Sequence, residues 1–169
     1  MRIKSIIFYA IWLLIFIILQ PTLFEWIGVF GISPNVFLVF VVLTALLRGK
    51  RAGAVCGAVF GLVFDLLTGR MVGFSGIIFM YIGAGIGMAA EQFLNSSGAS
   101  VSAVVLFVAS FVYTFVYYIA YSMMFGDMGF LTALLRVILP EAVYNSLLGW
   151  VMFVPIRKSF GKIKRRNIY

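Results

Sequence analysis

Few side chains in this sequence are equipped for chemistry, and most of them lie in or beside apolar runs. Asp65 ends a stretch of small residues, Glu141 and Asn145 stand four residues apart, and Arg70 and Arg136 sit at the edges of neighbouring runs. Four residues is one helical turn, so Glu141 and Asn145 share a face. A carboxyl group inside an apolar span is costly and needs a partner. Asp65, Arg136, Glu141 and Asn145 are therefore expected to form an intramembrane polar cluster, with Arg70 at similar depth. Such a cluster could be a proton or ion relay, a ligand site, a network that sets helix register, or a groove for a partner's membrane helix. A carrier needs polar groups near the midplane and a route to both sides, and the opposite half of these runs has almost none. The cluster is read as structural or partner-binding. Catalysis has little to draw on. Histidine, the commonest general base, is absent, and there are five carboxylates. The single cysteine, Cys56, lies beside glycines and reads as a packing residue. No nucleophile–base pair, metal-ligand spacing or phosphate loop is visible, so neither enzyme activity nor a cofactor or metal is expected.

The elements that must position these groups are membrane helices. Of 169 residues, 64% are hydrophobic and 11% charged, against about 45–50% and about 25% in soluble domains. An all-α polytopic membrane protein is expected. Six spans, at about 5–24, 33–47, 52–68, 73–91, 101–125 and 137–156, form one domain over 1–156, and 157–169 form a basic cytoplasmic tail. Arg2 and Lys4 precede an apolar run as in a signal peptide, but Gln20-Pro21 follows in place of small residues. An uncleaved first helix is expected, with Phe24 and Trp26 beside Glu25 at its exit and Gly28 and Gly31 in the connection. Pro34-Asn35 opens the second span. The third, Ala52–Leu67, is about 24 Å long at ~1.5 Å per residue, shorter than the ~30 Å hydrocarbon core. Arg70 at its tip favours a true crossing over a re-entrant loop. Asn95-Ser96-Ser97-Gly98 is a polar turn, and Gly126-Asp127-Met128-Gly129 ends the fifth run. Phe130–Leu139 is split off as a short interfacial helix or a helical lead-in. The last span starts at Pro140-Glu141 and ends at Val154-Pro155, with Trp150 near the interface.

Gly53, Gly57 and Gly61 recur every fourth residue, and so do Gly83 and Gly87. Small residues at that spacing let helix backbones approach closely in lipid. A contact between the third and fourth spans is preferred to homodimerisation. The stripe of Tyr113, Tyr117 and Tyr121 reads as helix packing.

The net charge of +8 is distributed as loop charge rather than as a nucleic-acid surface. With six crossings, Arg2, Lys4, Arg48, Lys50, Arg51 and the tail cations, among them Lys164, Arg165 and Arg166, fall on one side. Arg70 and Arg136 fall on the other. The side with the cations is cytoplasmic by the positive-inside rule, so both termini are cytoplasmic. The basic loops and tail would meet anionic lipid, at ~1 kcal/mol per cation.

The ordered set Pro34-Asn35, Arg48-Gly49, Gly53, Gly57, Gly61, Asp65, Gly73 and Pro140-Glu141-Ala142-Val143-Tyr144-Asn145 resembles the MreD family of bacterial rod shape-determining membrane proteins. The resemblance covers essentially the whole chain. It implies a non-enzymatic scaffold or adaptor in the cell-elongation machinery, in the bacterial cytoplasmic membrane. Its implied partners are the single-pass periplasmic protein MreC, actin-like MreB, RodA and a penicillin-binding transpeptidase. It also implies a fold similar to the substrate-binding components of energy-coupling-factor transporters, six helices with several short or irregular. That likeness supplies the alternative, a vitamin-like substrate-binding component. Ala10 is the lone alanine of the first run, where such components commonly carry an alanine-x-x-x-alanine docking face. A proton-coupled carrier using Asp65 and Glu141 is the weakest option.

Overall fold

The structure, a computed structural model, describes residues 3–24, 33–69, 71–93, 98–126 and 129–165. The expectations placed on Phe24, Glu25, Trp26, Gly28, Gly31, Arg70, Asn95, Asp127 and Arg166 concern residues, or side chains, that lie outside what is described. Among the described residues the regular structure is helix, joined by short turns. The order is α1 (Ile3–Leu19) with a π turn at Gln20–Phe24, α2 (Val36–Arg48), α3 (Lys50–Thr68), α4 (Phe74–Phe93) and α5 (Ala99–Phe125). It continues with α6 (Phe130–Ala133), a second π turn at Leu134–Ile138 and α7 (Leu139–Arg165). Lys50–Thr68, Phe74–Gln92, Ala99–Phe125 and Phe130–Phe160 are long and apolar enough to cross a membrane, and Ile7–Thr22 and Val36–Arg48 are shorter apolar helices. The chain is an all-α polytopic membrane protein.

The centre of the bundle is α2. Every residue from Val36 to Ala45 is at most 1% exposed. It is touched by α3, α4, α5 and α7, and by α1 through Trp12 and Phe16 against Phe40. Its 13 residues make it about 20 Å long. The short element is thus α2. The third helix takes in Lys50, Arg51 and Thr68 and reaches 19 residues, which is about 28 Å. The cause of that extension is the connection: Gly49 alone separates α2 from α3. Its φ of 81° is open to glycine at little cost. Its N–H closes α2 on the Ala45 carbonyl at 2.9 Å, and its own carbonyl receives the Gly53 N–H at 3.0 Å.

The closest pair is α3 with α4. A Cβ on Gly53 would lie 2.5 Å from the Gly83 carbonyl oxygen, and one on Gly61 2.6 Å from the Gly76 Cα. Gly57 faces the Phe79 backbone, and Gly87 faces Lys50. Lipid tails are as apolar as the side chains, so close backbone packing of this kind drives association in membranes. Rings fill the space between α1, α2 and α3. Phe40 stacks on Phe60 at 5.0 Å and meets Phe16 edge-on at 5.2 Å.

The C-terminal helix takes the lead-in alternative for Phe130–Leu139 and extends beyond the expected end of the last span. Phe130–Leu139 leads straight into α7 through the π turn, and the helix passes Pro155 and runs to Arg165. The residues expected to form a separate tail from 157 onward therefore continue the last span as helix through Arg165. A proline inside a helix removes one N–H donor, and here the Pro155 carbonyl also accepts the Ser159 hydroxyl at 2.8 Å. Gly149 admits the Leu106 side chain where α5 crosses α7, and Ser146 donates to the Ala103 carbonyl at 2.9 Å.

Candidate functional site

Polar groups gather at the two ends of the bundle, and the starts of the helices explain where. The first N–H groups of a helix have no partner within it. In a membrane interior water cannot supply one, so side chains must.

At the end holding the C-terminus of α3, Asp65 is fully buried. Its Oδ2 accepts the Ser75 N–H at 2.9 Å, in the first turn of α4. The carboxylate therefore meets the positive end of a helix macrodipole. The Ser75 hydroxyl pairs with the Tyr113 hydroxyl at 3.1 Å, which extends the link to α5. The start of α2 lies within a turn of this depth, because Phe37 packs on Phe64 at 5.7 Å. Three amide side chains serve it. Asn145 Oδ1 accepts the Asn35 N–H at 2.7 Å, Gln20 Oε1 accepts the Val36 N–H at 3.2 Å, and Asn35 Oδ1 accepts the Leu38 N–H at 3.1 Å. Gln20 Nε2 also donates to the Pro34 carbonyl at 3.1 Å.

Of the four residues expected to cluster, Asp65 and Asn145 each accept a backbone N–H at a helix start. Asp65 and Asn145 share a depth but bond to different helix starts, those of α4 and α2. Arg136 is exposed on the second π turn, and Glu141 is half-buried in the first turn of α7. Asp65 Oδ1 and the Nδ2 atoms of Asn35 and Asn145 are buried with no hydrogen-bond partner among the described residues. Sequence reasoning missed Gln20, Ser75 and Gly149. The pattern Gln20-Pro21 was legible as an exit, but a side chain that reaches 16 residues along the chain leaves no local signal.

The other end is basic and open. Arg48, Lys50, Arg51, Arg157 and Lys158 are exposed. Glu91, on α4, accepts the Lys50 N–H at 3.0 Å and so caps the start of α3. The Arg48 guanidinium lies 4.8 Å from the centre of the Phe160 ring, and that of Arg157 lies 5.7 Å from the centre of the Phe153 ring. Leu46, Leu47, Arg48, Glu91, Arg157 and Phe160 line a cleft of about 580 Å³ between α2, α4 and α7. Lys164 and Arg165 belong to the helical backbone of α7, and their side chains lie outside what is described. Cys56 is buried. Among the described residues no group of three His, Cys, Asp or Glu comes together to hold a metal.

Against this geometry stand the comparisons with known proteins. The family model described as rod shape-determining protein MreD matches residues 1–163. No curated protein and no solved structure matches the chain.

Proposed function

Because a match over residues 1–163 makes this chain a member of the MreD family of rod shape-determining membrane proteins, we propose that it is a non-enzymatic scaffold of the cell-elongation complex. It joins an MreC-like periplasmic protein to the machinery that builds lateral-wall peptidoglycan. Actin-like MreB, RodA and a penicillin-binding transpeptidase are the further partners. The observation that carries this reading is the family match across nearly the whole chain. The transporter-component alternative is not favoured by that match.

The structure supports the reading in two ways. The buried amide and carboxylate groups are engaged with helix starts, which suits a rigid body that presents surfaces. Many large apolar side chains face outward on α1, α3, α5 and α7, among them Ile18, Leu66, Val104 and Val151, and these would face lipid or a partner's membrane helix. Both termini are cytoplasmic in this reading, because Arg48, Lys50, Arg51, Arg157 and Lys158 all lie at one end. The test is co-expression with the MreC partner and purification in nanodiscs. A stoichiometric complex is expected, and free MreC after equal expression would overturn the scaffold role.

A further inference from the structure

The basic cleft between α2, α4 and α7 is a cavity with charge at its rim and leucine at its wall. Arg48 and Arg157 line it from two helices. Neither guanidinium has a carboxylate partner among the described residues; each rests over a phenylalanine ring. Such stacking leaves the N–H edges of a guanidinium available, and those edges match phosphate oxygens. The acid lining the cleft is Glu91, and its Oε1 is committed to the Lys50 N–H. Leu46, Leu47 and Ala90 supply an apolar wall beside the two cations. The cleft lies at the ends of membrane helices, where the phosphate layer of the bilayer begins.

We propose that this cleft binds one anionic phospholipid, with its phosphodiester held between Arg48 and Arg157 and an acyl chain lying along Leu46, Leu47 and Ala90. A free phosphate would satisfy the arginines but leave the leucine wall to other lipids, so the headgroup and chain together fit the cleft best. The site rests on the proposed cytoplasmic orientation only for the leaflet it draws from. It uses no protein partner, so it stands or falls apart from the scaffold role.

Native mass spectrometry of the full chain tests it, with phosphatidylglycerol and phosphatidylcholine offered at equal concentration. Retained phosphatidylglycerol and little phosphatidylcholine are expected. Arg48→Gln and Arg157→Gln should each lower phosphatidylglycerol retention about tenfold, the scale of one charge-assisted contact. Lys158→Gln, next to Arg157 but not in the cleft wall, should change it by less than about twofold. Glu91→Gln keeps an acceptor for Lys50, removes a negative charge from the rim, and should raise retention. If an arginine variant fails to fold, Glu91→Gln and Lys158→Gln still decide the matter. Equal retention of the two lipids would overturn the proposal. So would a Lys158→Gln effect as large as that of Arg157→Gln, unchanged retention in Glu91→Gln, or displacement of the lipid by inorganic phosphate.

Discussion

The two ends of the α3–α4 pair use one device in different surroundings. At one end a carboxylate of α3, Asp65, receives the Ser75 N–H of α4; at the other a carboxylate of α4, Glu91, receives the Lys50 N–H of α3. Each helix thus caps the start of its antiparallel neighbour. Asp65 is fully buried and Glu91 is exposed. Burial decides what the same bond contributes. Water can replace Glu91 at the Lys50 N–H, whereas nothing in lipid can replace Asp65 at Ser75. The buried cap is therefore a structural commitment, and the exposed one is negotiable, which leaves the basic end open to ligands.

The comparison can be broken or sharpened by substitution, with stability read from equilibrium unfolding of the purified chain in detergent. Gly57→Leu should have the largest effect. It pushes α3 off the Phe79 backbone, pulls on both caps at once, and should cost about 3 kcal/mol or more. Little change would mean that the glycine contact does not hold the pair together. Asp65→Ala strands a buried N–H and should cost about 2–3 kcal/mol. Asp65→Asn keeps an acceptor and should cost roughly half of that; an equal loss in the two variants would mean that charge, and not acceptance, is what matters. Asn145→Ala should cost about 1–2 kcal/mol by exposing the Asn35 N–H to an apolar interior. Glu91→Gln should shift stability by no more than about 0.5 kcal/mol. A Glu91 effect as large as that of Asp65 would erase the distinction between the ends.

How much of this could be read in advance differs from feature to feature, for physical reasons. The glycine spacing of Gly53, Gly57 and Gly61 was legible because close backbone approach demands missing side chains whatever lies opposite. The membrane class followed from composition. The central place of α2 was not legible, because lipid and protein interior are equally apolar, and a helix apolar all round suits either. Asp65 was legible as a buried carboxylate in need of a partner, but its partner was not. A helix start is a backbone feature with no residue type of its own, so a search among arginines and amides on other spans could not find it. Asn145 was singled out for its neighbour Glu141, whereas its bond runs 110 residues back to Asn35. The continuation of α7 through Pro155 was obscured because proline marks helix ends more often than it is tolerated inside them.

That long-range bond has a bearing on how the protein is made. The central helix leaves the ribosome well before the side chain that completes its first turn, which lies 110 residues further along. Until α7 is made, the Asn35 N–H at the start of α2 lacks its Asn145 acceptor. The bond between Asn35 and Asn145 is thus available only to a chain that has been translated into α7. A nascent chain stopped before Leu139 is expected to turn over faster in pulse-chase labelling than the whole protein. Equal lifetimes would show that α2 is secure without its last partner.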